Sequence, residues 1–308
     1  MADAKTFTID GTDISIIDET ARERASAALE SAEYNRLSLV GKYPGQDLAT
    51  VLAAEIGSGE NVYDALHARV QDADFSGLRV GDYIDVPLVS ASAVTTMQSV
   101  RFILAHIDPY YRCGDNMKGH HIAFVASRPI EVASGVTGYA DGGHLQWNTT
   151  NTNQGTAAES APYLASNLKK WENLFEGCLP EGLSKYLLVQ RVLTELRYSS
   201  SGAITDSTGW EWNDIGKVFS LSETEVYGQC VWGTKGWSVG VDCQWDFFRD
   251  SAHRQGYCED ETSVRWWLRS VPGGSSSGVC GVLADGGAGR NGMATLGSVR
   301  PRVGFLLG

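Results

Sequence analysis

The sequence predicts an α+β protein: a large unit of short strands, long loops and a few helices, preceded by a small hairpin and a helix. Three observations carry that expectation. The chain has 308 residues, 43% hydrophobic and 20% charged, enough to bury a large core and leave an appendage. Seven of its nine tryptophans (Trp210, Trp212, Trp232, Trp237, Trp245, Trp266 and Trp267) follow residue 200 in Gly-punctuated segments too short for helices, so aromatic burial is expected to staple short strands there. A Gly/Pro link, Gly41-Lys42-Tyr43-Pro44-Gly45, divides the chain into an N-terminal segment, 1–40, and a main domain, 41–308.

The N-terminal segment alternates apolar and polar residues from Phe7 to Asp18 around Asp10-Gly11, which predicts a hairpin. Asp18 or Thr20 can cap a helix from Glu19 to Tyr34, whose Ala, Glu and Arg content leaves few large apolar residues to bury. Beyond the link, helices are expected over Asp47 to Ile56 and Asn61 to Val70, the second capped by Asn61. Phe75 to Val86 reads as a turn into a strand. The polar run from Asn148 to Gly155 cannot pack a core and is expected as an exposed loop. Tyr163, Leu164, Leu168, Trp171, Leu174 and Phe175 recur at the helical period, with Gly177 where the helix should stop. Leu187 to Leu193 is a strand candidate. From Pro272 to Gly297 the chain is so rich in Gly, Ser and Ala that it reads as a surface loop held at both ends by short strands.

Charge and cysteine usage narrow the classes of function. The net charge is -12, with no block of Lys or Arg, which argues against a surface that neutralises phosphates; no nucleic-acid partner is expected. No run of about eighteen apolar residues exists and the first residues lack a signal-peptide layout, so no membrane span is expected and the product is read as made in the cytoplasm. Cys113, Cys178, Cys230, Cys243, Cys258 and Cys280 form no Cys-x-x-Cys pair and no zinc-spaced cluster. They read as small buried hydrophobes in a reducing compartment, with disulfides the other reading. No cofactor and no metal are expected.

Four ordered elements carry a family resemblance: Lys217-Val218-Phe219-Ser220-Leu221-Ser222, Phe247-Phe248-Arg249-Asp250-Ser251, Arg265-Trp266-Trp267-Leu268-Arg269-Ser270, and Ser298-Val299-Arg300-Pro301-Arg302. With Leu78-Arg79-Val80-Gly81-Asp82-Tyr83 and Arg101 to Asp108, they resemble a C-type-lectin-like domain of phage and prophage proteins, distantly related to the formylglycine-generating-enzyme fold. The resemblance covers most of residues 73 to 308. The pattern around Ile9-Asp10-Gly11 and Ala21-Arg22 resembles the short element that opens many phage tail-fibre proteins. Together they imply a virion structural protein, tail-associated, whose lectin-like domain adheres to a bacterial surface. Its partners would be other virion proteins through the N-terminal segment, further copies of itself, and a host surface glycan or protein. A capsid decoration protein is the alternative, and an enzyme of the formylglycine-generating type a third.

The residues expected to bind a ligand are Ser275, Ser276, Asp285, Arg290 and Asn291, because short polar side chains among glycines pack nothing yet offer hydrogen bonds. Trp266, Trp267, Arg269, Arg300 and Pro301 are expected as structural anchors, with at least one of the two tryptophans facing the core. No catalytic residue is expected: Cys280 is the sole cysteine placed for oxidase chemistry, and the sequence shows no activating partner for it. Arg265, Arg269, Arg300 and Arg302 read as structural rather than anion-binding. Trp212-Asn213-Asp214 has the letters of a calcium-ligating triplet, but its companion Glu-Pro-Asn triplet is absent. His120 and His121, as neighbours on a strand, would point to opposite faces, so at most one could serve a given site; these and His253 read as structural.

Overall fold

The computed structural model describes residues 6–9, 12–15, 19–39, 43–234, 243–291 and 293–308, with backbone alone for 6–9, 12–15, 19–22, 35–39 and 291. The chain divides into two compact units, Met1–Pro44 and Gly45–Gly308. In the first, Thr6–Ile9 and Thr12–Ser15 pair antiparallel, and a helix runs over Glu19–Leu39; Asp10-Gly11, the expected turn, lies outside the described residues. Every side chain from Glu23 to Glu33 on that helix is exposed, so this stretch presents no buried stripe.

The second unit is α+β, built on two sheets. The larger is antiparallel, in the order Val218–Ser220, Val303–Leu307, Ile122–Ala126, Ser99–Ile107, Tyr83–Pro87, with Leu187–Leu188 also pairing onto Val303–Leu307. Its two central strands, Ile122–Ala126 and Val303–Leu307, are buried at every position, which is why both read as unbroken apolar runs. Gly304 lets an aromatic lie flat on this sheet: a Cβ there would stand 2.7 Å from the Phe124 carbonyl oxygen and 3.2 Å from the Trp245 ring. The smaller sheet runs Gly256–Tyr257, Ser263–Trp267, Val279–Val282, Ala288–Asn291, with Val299–Arg300 parallel to Ser263–Trp267.

Trp266 and Trp267 are both fully buried, although they point to opposite faces of their strand, because this sheet is covered on both sides. Their indole N–H groups donate to the carbonyls of Arg254 at 2.8 Å and Leu145 at 2.6 Å. Arg269 grips Glu225 and also donates to the Ser220 carbonyl at 2.9 Å, joining the Trp-Leu-Arg-Ser strand end to the helix Glu223–Tyr227. That helix starts with a capping box, Ser222 with Glu225, so one carboxylate serves both cap and ion pair.

Several expected elements take another form. The helix Val62–Gln71 starts at Asn61 with a capping box closed by Asp64, but the preceding one spans only Leu48–Val51. It tightens into turns through Ala53 N–H to Thr50 and Glu55 N–H to Leu52. The periodic segment after Tyr163 splits into Pro162–Ala165 and Asn167–Glu176, because Ser166 leaves the helical region to cap Lys169 N–H, and Leu174 is 55% exposed. The strand candidate at Leu187 breaks at Val189 and Gln190; its second half, Arg191–Leu196, pairs with Gly209–Asp214 instead of the main sheet. The Gly-rich run from Pro272 to Gly297 is not simply a loop. It contains the hairpin Val279–Val282 with Ala288–Asn291, whose first strand is wholly buried. Gly289 lies close against that strand: a Cβ there would stand 3.2 Å from the Gly281 carbonyl oxygen and 2.8 Å from the Leu283 side chain. The polar run ending at Gly155 is exposed only in part, for Asn153 is fully buried. Of the cysteines, Cys178 and Cys280 are buried, whereas Cys113, Cys243 and Cys258 are partly buried and Cys230 is exposed.

Candidate functional site

Arg197 follows the strand Arg191–Leu196 and is completely buried. Its guanidinium donates to Glu195 at 2.9 Å, Asn153 Oδ1 at 3.2 Å, Thr234 Oγ1 at 2.8 Å, and the carbonyls of Ser275 at 2.9 Å, Pro272 at 2.9 Å and Thr205 at 3.2 Å. A planar fork of donors is the side chain that can hold so many acceptors at once. Burial pushes the Glu195 carboxyl above its ordinary pKa, with Arg197 opposing that shift. Arg197 thus fastens segments around residues 153, 205, 234 and 272–275 from beneath.

Asn153 and Gln154 complete the layer. Asn153 Nδ2 donates to the carbonyls of Ser275 at 3.0 Å and Gly278 at 2.7 Å, and its N–H to Ser276 at 3.0 Å. The Gln154 amide exchanges two hydrogen bonds with the backbone of Ile204, at 2.8 and 3.0 Å. The polar run is therefore internal scaffolding for neighbouring loops, its side chains satisfying backbone groups that no sheet pairs.

A second buried group positions the adjoining loop. Glu223, 1% exposed, accepts backbone N–H bonds from Val231 at 2.9 Å, Trp232 at 3.0 Å and Gly233 at 2.8 Å. Three backbone donors converge on this one buried carboxyl group. Trp232 is held further by its carbonyl, which accepts from Gly273 N–H at 3.2 Å, and by its indole N–H, which donates to Ala288 at 3.2 Å. Even so, 46% of it stays exposed, and Val231 beside it is 40% exposed. Arg290, exposed and two residues beyond Ala288 on the same strand face, reaches the Gly274 carbonyl at 3.4 Å. The result is a solvent-facing surface assembled from the loop before Trp232, Gly273 to Ser276, and the outer strand Ala288–Asn291.

The structure brings Ser275, Ser276 and Arg290 to this surface. Ser275 and Ser276 are half-buried and largely committed: Ser275 Oγ accepts from Gly278 N–H at 2.9 Å, while both carbonyls are used by Arg197 and Asn153. Asp285 lies elsewhere, at the hairpin turn, where it accepts from Gly287 N–H at 3.0 Å. The side chain of Asn291 and all of Trp237 lie outside the described residues. Sequence reasoning missed Arg197, Glu223 and Asn153, and counted Trp232 as a buried staple.

The remaining candidates are built into the fold. Pro301 is buried, with its carbonyl accepting from Ile130 N–H at 2.7 Å. Arg300 bonds the Gly142 carbonyl and stands 3.6 Å from Glu131. Arg302 donates to the carbonyls of Ala126, His253 and Ser127 at 2.9, 3.0 and 3.0 Å and stacks over Trp266; burial pulls its pKa down to about 9. Arg265 is exposed. Asp214 pairs with Arg191 at 3.1 Å and Asn213 donates to Thr194, so this triplet faces a cation of the protein itself. His120 and His121 precede their strand instead of lying on it, and both meet Asp108: His120 Nδ1 at 2.6 Å and the His121 N–H at 2.7 Å. His121 is fully buried and donates from Nδ1 to Gly119, leaving Nε2 to accept from Tyr110 N–H; burial lowers its pKa to about 4. His253 stacks on Phe247 at 4.1 Å. Cys280 is fully buried, and burial pushes its thiol well above its ordinary range, which disfavours the thiolate. Among the described residues no group of three or more His, Cys, Asp or Glu side chains is arranged to hold a metal ion, and no helix is long and apolar enough to cross a membrane.

Residues 139–307, which include the whole of this surface and the sheet beneath it, match the model of a family described as a domain of unknown function (DUF6273). The match spans more than half of the chain, and the protein belongs to that family. No curated protein and no solved structure matches the chain.

Proposed function

We propose that this chain is a structural protein of a tailed-phage or prophage-derived particle, tail-associated, in which the Gly45–Gly308 unit acts as a C-type-lectin-like domain that presents its loop surface to a bacterial envelope. The observation that carries the reading is the construction of that surface. Segments distant in sequence are fastened by Arg197 and Glu223, both withdrawn from solvent, while Thr205, Val231 and Trp232, among the residues they hold, face water. A rigid scaffold that presents irregular backbone is the arrangement binding proteins use, because order established beforehand lowers the entropy lost on association. The short strands and long connections of the unit support the lectin-like description, as do the sequence elements that resemble such domains.

The N-terminal hairpin and helix act in assembly, joining the chain to other virion proteins and to its own copies. Their support is the helix surface from Glu23 to Glu33, which has no side chain buried and so gains packing only from a partner. The protein works by binding and not by catalysis, consistent with the sealed Cys280 thiol. Mass spectrometry of purified particles and gold-labelled antibodies in electron microscopy test the reading. The chain should be present in the particle and the label should mark the tail. Absence from particles would refute it; labelling spread over the shell in high copy number would assign the chain to capsid decoration.

A further inference from the structure

We propose that Trp232 and Arg290 form a binding site for a pyranose ring that carries a carboxylate, such as the uronic acid of an envelope polysaccharide. The proposal rests on reading this surface as adhesive and names the chemistry it recognises. Trp232 is the only exposed tryptophan among the described residues. It is fixed at its backbone N–H, its carbonyl and its indole N–H, at 3.0, 3.2 and 3.2 Å, so the ring is a preset platform. A pyranose has one face of C–H groups and a rim of hydroxyls. Such a ring stacks on an indole face while its rim meets polar atoms.

Arg290 supplies the charge. Trp232 and Arg290 are tied to the same two segments: the indole N–H is bonded to Ala288, two residues from Arg290, and the adjacent Gly273 and Gly274 bond Trp232 and Arg290 respectively. At 3.4 Å the bond from Arg290 to Gly274 is long, and the guanidinium is exposed, so it can turn to a bidentate carboxylate at little cost. A cation beside an aromatic platform selects an anionic sugar over a neutral one, because the guanidinium pairs with the carboxylate while the ring stacks. A protein partner is the weaker fit. Stable protein interfaces cover about 800 Å² on each side around several aromatic or aliphatic anchors, and on the loop before Trp232, among the described residues, the large apolar side chains open to solvent are Val231 and Trp232.

The matched pair methyl glucuronoside and methyl glucoside, which differ at the carboxylate, tests the site by tryptophan fluorescence and saturation-transfer magnetic resonance on the full chain. The uronoside should bind at least about tenfold more tightly. Arg290→Gln should bring the two sugars to equal affinity, and Trp232→Ala should abolish binding of both. Arg290 is exposed, so Arg290→Gln keeps the test decisive if Trp232→Ala weakens the fold. Equal binding of the two sugars by the native chain, or uronoside binding unchanged in Arg290→Gln, overturns the proposal. Binding of neither sugar also overturns it. In that case, uptake of the labelled native chain by bacterial cells would keep the adhesion reading with a different ligand, a protein included, and absence of uptake would remove both.

Discussion

Arg269 holds both carboxylate oxygens of Glu225, each at 2.6 Å, with both side chains withdrawn from solvent. Glu225 also accepts from the Tyr110 hydroxyl and from Ser222 N–H at 2.8 Å, and Trp245 donates to Tyr110 at 3.2 Å. The pair therefore joins the two sheets through one polar cluster. Removing the cation leaves a buried carboxylate uncompensated, so Arg269→Met should lower unfolding stability by about 3 to 5 kcal/mol. Adding Glu225→Gln to that variant should restore part of the loss, because the remaining group is then neutral. Urea denaturation checks both, and strictly additive losses would contradict the coupling.

His121 makes stability depend on pH. Its folded-state pKa is lowered to about 4 by burial, below the ordinary 6.5. The unfolded chain thus binds the proton more readily between these values, and stability falls as pH drops. The contribution is fully present above pH 6.5 and is lost as pH falls through 4; in size it is about 3 kcal/mol at about 1.4 kcal/mol per unit. His121→Gln, which keeps an acceptor for Tyr110 N–H, should flatten the melting temperature against pH in this window. A slope as steep as that of the native chain would assign the effect to other groups.

Gly304 should tolerate no side chain. A methyl placed 2.7 Å from the Phe124 carbonyl oxygen forces the central strands or the Trp245 ring to move. Gly304→Ala should destabilise by about 1 to 3 kcal/mol, as overpacking does. Thermal unfolding reads the change, and an unaltered midpoint would show that Trp245 is not pressed against this strand.

Deleting residues 1–34 should leave a folded Gly45–Gly308 unit that no longer assembles. Circular dichroism and size-exclusion chromatography with light scattering separate the two effects. Loss of folding in the deletion would contradict an assembly role for the segment.

How much could be read from the chain depended on where each signal lay. The cap at Asn61, the burial of Trp266 and Trp267 and the pairing of Thr6–Ile9 with Thr12–Ser15 were legible because each rests on neighbours in sequence. The hairpin Val279–Val282 with Ala288–Asn291 was hidden: its glycines, which read as loop, are what allow its strands to pack closely. Arg197 was illegible for another reason. Its acceptors include backbone carbonyls as far away as Ser275, 78 positions along the chain, and a carbonyl has no residue identity to detect. Exposure of Trp232 follows from the same fact, since the Glu223 carboxylate that fixes its loop acts through backbone N–H groups.

The most direct test of the account is adhesion itself: saturable binding of the full chain to intact bacterial cells, for the native protein, for Trp232→Ala with Arg290→Gln, and for Arg101→Gln as a control. Arg101 pairs with Asp85 at 2.7 Å on the strand Ser99–Ile107, in the other sheet. With all three unfolding at similar temperatures, the account predicts saturable binding by the native chain and the control and at least about a tenfold loss in the double variant. Undiminished binding by the double variant, or no saturable binding by the native chain, would contradict it.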